Sequence, residues 1–124
     1  MAIIPAPLAP THDLGAARFT ALATPTRGST DTSVWLVEIA PGHPGQPHRL
    51  SREEVFVVLA GRAEVSLDGE VSQAGVGDAI VVPPDVPFAL AAAGPEPMRA
   101  LCCLPVGGQA RLGDGEQFIP PWAQ

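Results

Sequence analysis

Apolar residues recur at every second position along this chain, in short runs that each stop at a turn signal. ARFTALA (17–23) and TSVWLVEIA (32–40) are the first two runs, and the second ends at Pro41–Gly42. EVFVVLA (54–60) ends at Gly61. AEVSLDGEVSQA (63–74) has the form of a hairpin, with Asp68–Gly69 as a two-residue turn. DAIVV (78–82), PFALAAA (87–93) and MRALCCLPV (98–106) complete the series, and LGDGEQFIPPWAQ at the end looks irregular. No stretch of about 10–12 residues carries a helical stripe without a breaker. The pattern predicts an all-β sandwich or barrel in a single domain.

Alternation also assigns faces. If Glu54 points inward, Phe56 and Val58 follow it, while Val55, Val57 and Leu59 point out and Glu53 is solvated. The outer row is as apolar as the inner one, so it needs cover from a second layer or a partner subunit. A homodimer is expected.

Composition narrows the chemistry. The 124 residues carry a formal net charge of −6, and the 7 basic residues, all Arg, are scattered. That argues against nucleic acid or an anionic membrane as partner. The chain has no Lys, which excludes a Schiff base, and no Tyr or Asn. Proton transfer would fall to His12, His43, His48, a carboxylate or a cysteine. The opening MAIIPAPLAPTHDLG lacks the basic and apolar regions of a signal peptide, and no window approaches transmembrane length. Cys102 and Cys103 are adjacent and offer no disulfide framework. A cytoplasmic protein is expected.

One segment is more specific. GHPGQPHRLSREEVFVVLAG (42–61) places Gly42, His48, Leu50, Glu54 and Gly61 at the spacing of the first motif of the cupin superfamily, which has a histidine where this chain has Leu50. Gly77, Pro83, Asp85, Phe88 and Ala92 resemble the second motif, where the family usually shows Gly, His and Asn at the last three positions. The resemblance covers about residues 33–105, between a lead-in (1–16) and a tail (107–124). It implies a jelly-roll barrel (a double-stranded β-helix) of two antiparallel sheets, often dimeric, around a ligand cavity. In metal-bearing members three histidines and the glutamate project into that cavity.

Carried over by position, this chain keeps His48 and Glu54 and has hydrocarbon at 50 and 88. A catalytic zinc or iron site normally takes three protein ligands, so no cofactor is expected; a divalent transition metal, if bound, would sit on His48 and Glu54. The two remaining groups read either as a working acid–base dyad poised near neutrality, the carboxylate raising the histidine pKa and desolvation lowering it, or as a hydrogen-bonded polar remnant. Trp35, Leu50, Phe56, Phe88 and Met98 are the expected cavity lining, suited to a small apolar or aromatic metabolite such as a polyketide-like intermediate. Arg49 and Arg52 could meet an anionic substrate at the mouth. Three functions follow: a metal-independent isomerase, cyclase or lyase; a ligand-binding or sensing module without chemistry; and a metal-dependent oxygenase recruiting His12, His43 or a cysteine.

Overall fold

The computed structural model describes residues 3–124, so the first two residues of the expected lead-in lie outside it. Eleven strands follow one another: β1 His12–Asp13, β2 Ala17–Ala23, β3 Thr32–Ile39, β4 Arg49–Leu50, β5 Glu54–Ala60, β6 Ala63–Leu67, β7 Glu70–Ala74, β8 Ala79–Val82, β9 Phe88–Ala92, β10 Met98–Pro105 and β11 Ala110–Arg111. Short 3-10 turns occupy Pro25–Arg27 and Pro121–Ala123. No α-helix occurs among the described residues, and no helix is long and apolar enough to cross a membrane.

The strands form an antiparallel jelly roll. A six-stranded sheet runs in the order β1-β2-β3-β10-β5-β8, a three-stranded sheet runs β7-β6-β9, and β4 and β11 make a two-stranded ribbon. Every long run of alternation became a strand. The expected hairpin is β6–β7, with Leu67 opposite Glu70 and both turn residues at positive φ, 50° at Asp68 and 85° at Gly69. That left-handed pair matches the twist of the flanking strands.

Burial follows the period of two. In β3, Ser33, Trp35, Val37 and Ile39 are buried; in β10, Met98, Ala100, Cys102 and Leu104 are. These two rows are direct cross-strand partners, Trp35 opposite Cys102 and Val37 opposite Ala100. Gly61 turns the chain out of β5 with φ +70°, and a Cβ there would run into the Pro97 carbonyl, so only glycine serves. Asp85, where the family usually has glycine, also takes a left-handed conformation (φ 60°), which aspartate tolerates better than most residues.

The tail is more ordered than its sequence suggests. Ala110 exchanges backbone hydrogen bonds with Phe118 (2.8 and 3.0 Å), and the buried Ser33 hydroxyl donates to the Ala123 carbonyl at 2.8 Å. These anchors draw Pro120–Trp122 against the barrel. Two prolines and a tryptophan carry no strand alternation, which is why pattern reading left the segment irregular.

Candidate functional site

The motif segment enters the barrel through a pair of backbone bonds. His48 N–H donates to the Phe88 carbonyl and Phe88 N–H donates back to His48, both at 2.9 Å. Such a pair puts both side chains on the same face. Two residues on, Leu50 in β4 points inward while Arg49 points out. Glu54 opens β5 opposite Val82 and is 4% exposed.

These side chains line one cavity of about 440 Å³. Of the expected lining, Trp35, Leu50, Phe56 and Phe88 face it together with His48 and Glu54. Met98 does not. It is fully buried opposite Ile39, next to the closure where Gly61 meets Pro97, and the cavity does not reach it. Phe19 and Trp122, which the sequence did not single out, stack face to face at 3.6 Å on the cavity wall. Val37, Ile39, Leu90 and Pro120 add further apolar surface.

Electrostatics make the two ionisable groups unusual. Burial pushes the Glu54 carboxyl up to about 8, with no hydrogen bond or charge offsetting it. Near neutrality it therefore carries its proton. His48 is shifted the other way: burial lowers its pKa, and a hydrogen bond from Nδ1 to the Gln46 carbonyl (2.9 Å) opposes that only in part. A carbonyl can only accept, so Nδ1 holds the ring proton and Nε2 is left with the lone pair. Of the two opposing effects expected on His48, desolvation prevails, and no His48–Glu54 hydrogen bond is present, so the pair is not a hydrogen-bonded remnant. The pair is two neutral groups, one donor and one acceptor, on the same wall.

The other candidates lie elsewhere. His43 is exposed and outside the cavity. His12 meets Trp122 edge-on at 6.4 Å, behind the lining. Cys102 is buried on β10 between its cross-strand neighbours Trp35 and Phe56, and its thiol is pushed well up by burial first and by Glu54 second. Cys103 sits half-buried on the outer face, and Glu53 is solvated. Arg49 does not flank the mouth: its Nη1 donates to the Asp85 carbonyl at 3.2 Å in a separate polar cleft that Arg111 shares. Arg52 is exposed and lines neither space.

Among the described residues, no three His, Cys, Asp or Glu side chains gather as a metal-binding group. The two further family positions are filled by Leu50 and Phe88, both packed in the core. A carboxyl kept neutral by its surroundings is also a poor ligand. The residues do not fit a three-ligand metal centre.

The chain is thus an antiparallel jelly-roll β-barrel enclosing an apolar cavity with a few polar groups. A family model described as a cupin domain matches residues 35–104, more than half of the chain, and the protein belongs to that family. An uncharacterized protein of Methanocaldococcus jannaschii, MJ1618, is 37% identical over 51 residues, which span 41% of this chain and 41% of that relative. Among solved structures, the polyketide cyclase RemF of Streptomyces resistomycificus superposes with a TM-score of 0.73 at 20% identity, over 91% of this chain and 82% of its own. KdgF from Halomonas sp. gives 0.63 at 24% identity, over 74% and 82%. At these identities the likeness is one of fold.

Proposed function

We propose that the protein binds a small apolar or aromatic metabolite in this cavity and moves a proton within it, as an isomerase, cyclase or lyase would. The observation that carries this reading is the pairing of a protonated Glu54 carboxyl with a neutral His48 imidazole on one apolar wall. Opposed environments acting on two titratable groups are how acid and base roles are set apart near neutral pH. A polyketide cyclase among the structural neighbours is in keeping with it.

The chemistry follows from the protonation states. A substrate carbonyl oxygen accepts a hydrogen bond from the Glu54 hydroxyl, and His48 Nε2 takes a proton from the adjacent carbon. The C–H electron pair becomes the new C=C bond, the carbonyl π pair takes the Glu54 proton, and an enol results. Where a second double bond makes the enol a dienol, His48 returns its proton to the far carbon of the diene while the enol O–H proton goes back to Glu54, which re-forms the carbonyl and shifts the double bond. Attack of the enol carbon on a second carbonyl would instead close a ring, the new alkoxide taking the His48 proton and the enol O–H proton returning to Glu54. Enolisation tests this directly: exchange of the α-protons of 2-tetralone in D2O, followed by proton NMR. The protein should accelerate exchange, and His48→Ala should return it to the buffer rate, a loss on the order of 10²-fold or more. Unchanged exchange in a folded His48→Ala protein rejects the catalytic role.

A second reading, ligand binding without chemistry, is favoured by how little of the wall is polar: among the described residues that line it, only His48, Glu54, Gln46 and the indoles of Trp35 and Trp122 carry a polar side-chain group. Saturable binding with no exchange would select it. We further propose a cytoplasmic homodimer. Both cysteines are free, which suits a reducing compartment. The outer face of the six-stranded sheet is apolar across β3, β10, β5 and β8, and the row of charges bordering it, Asp13, Arg18, Glu38 and Arg99 on successive strands, sums to zero, with Arg99 and Glu38 3.8 Å apart. A face without net charge can meet its own copy even in a protein of charge −6.

A further inference from the structure

The same cavity has a chemical signature finer than apolar. No arginine lines it, and the chain has no lysine, so an anionic group inside would be desolvated without a partner. Its wall is built of ring faces: the Phe19–Trp122 stack at 3.6 Å and 6°, and the His48–Phe88 contact at 4.1 Å. Flat ring systems extend such stacks. Where the lining reaches the surface, Gln46 is its one exposed polar side chain and the rest stays apolar. Leu14, Leu112 and Phe118 border the cavity yet are 63%, 41% and 40% exposed. Large apolar side chains left wet at the rim of a dry cavity are surface that an occupant would cover.

We propose that the occupant is an uncharged, flat, fused-ring aromatic of about three rings, with a ketone or phenol edge held at Glu54 and His48 and its far rings emerging between Leu14, Leu112 and Phe118. The inner edge is read by one donor, the Glu54 hydroxyl, and one acceptor, His48 Nε2, the pairing that a ketone beside an enol or phenol completes. The outer rings gain from apolar burial alone. This rests on the cavity being the ligand site, and it holds whether or not His48 moves a proton.

The test is titration of the full chain, read by its tryptophan fluorescence, with four probes: 1-tetralone, anthrone, anthracene-9-carboxylate and 9-(aminomethyl)anthracene. Anthrone should bind about tenfold tighter than 1-tetralone, from the added ring. Both charged anthracenes should bind at least about tenfold more weakly than anthrone. The double variant Leu14→Ser/Phe118→Ser, which changes two exposed side chains, should bring anthrone down to the level of 1-tetralone. Equal affinity for the two neutral ketones, no binding of either, tighter binding of a charged probe, or a rim variant that keeps the anthrone preference would each overturn the proposal. A ring-number preference that persists where 2-tetralone shows no His48-dependent exchange would remove the catalytic reading and leave the ligand class standing.

Discussion

His48 and Phe88 exchange both of their backbone hydrogen bonds and pack their rings 4.1 Å apart, tilted at 47°. The position that carries a histidine in metal-bearing relatives is thus the direct cross-strand neighbour of His48, and here it is a hydrocarbon that fills the space beside the imidazole. Leu50, two residues along, is buried on the same wall. If those two side chains are what separates this pocket from a metal centre, the double variant Leu50→His/Phe88→His should regain one. Elemental analysis after dialysis against Zn²⁺ or Ni²⁺ and then metal-free buffer should find about one ion per chain in the variant and far less in the wild type. Burying imidazole in place of Leu and Phe should destabilise the metal-free variant by about 2–5 kcal/mol, and metal should restore its melting temperature. A variant that stays metal-free would mean the wall geometry, and not only these two residues, has changed.

The acid–base assignment has a pH signature whose sign is set by burial. His48 must be unprotonated to act as base, and its pKa lies below 6.5, so rate should climb with pH through that lowered value. Glu54 must be protonated to act as acid, so rate should decline as pH rises through about 8. Tetralone exchange per mole of protein should show a plateau around neutrality, with Glu54→Gln abolishing the alkaline limb and slowing the plateau. An alkaline limb that survives Glu54→Gln would assign that pKa to another group.

Much of this was legible in the residues. Alternation is a strong signal for strands with one face buried, as in β3, β5, β8 and β10, whereas β7 and β9 became strands without alternate burial. The motif spacing located His48, Glu54, Leu50 and Phe88 on one wall because a jelly roll converts those intervals into neighbouring strand positions. What escaped has physical reasons. β1, β4 and β11 are two residues long, too short to show a period. Trp122 and Phe19 are far apart in the chain, and only tail docking brings them together. Met98 faces inward as its parity requires, but parity does not say how far along the barrel the cavity extends. A nearby carboxylate and desolvation act on His48 in opposite senses, and the sequence does not say which wins; in the structure burial does, and it keeps Glu54 neutral near pH 7.

The outer sheet face makes a separate claim about assembly. Val81 and Leu59 are its most exposed apolar side chains, at 49% and 44%, and neither touches the cavity. Light scattering with size exclusion should give a dimer for the wild type. Val81→Glu places two like charges in an isologous interface and should weaken the dimer about tenfold or more. Far-UV circular dichroism should stay unchanged, since the side chain is already half in water. A wild type that is monomeric at micromolar concentration refutes the interface.

Glu54 also leaves a thermodynamic trace that needs no substrate. Its folded pKa, about 8, lies above its ordinary value of 4.5, so the folded state holds a proton that the unfolded state releases across that window. Linkage then fixes the direction: the contribution of Glu54 to stability is fully present below about 4.5, declines as pH rises, and is lost once pH passes about 8. Glu54→Gln replaces the carboxyl by a neutral group of the same shape and removes this slope. At pH 5 the two proteins should differ by no more than about 1 kcal/mol, because folded Glu54 is neutral there and only the unfolded chain has begun to release its proton. At pH 9 the variant should be more stable by roughly 2–4 kcal/mol, the wild type having to ionise a carboxyl in a dry wall. Thermal or urea unfolding of both proteins from pH 5 to 9 reads this difference. Parallel curves across that range would mean Glu54 is ionised in the folded state, and with that the donor on which both the proton-transfer chemistry and the ligand class depend would be gone.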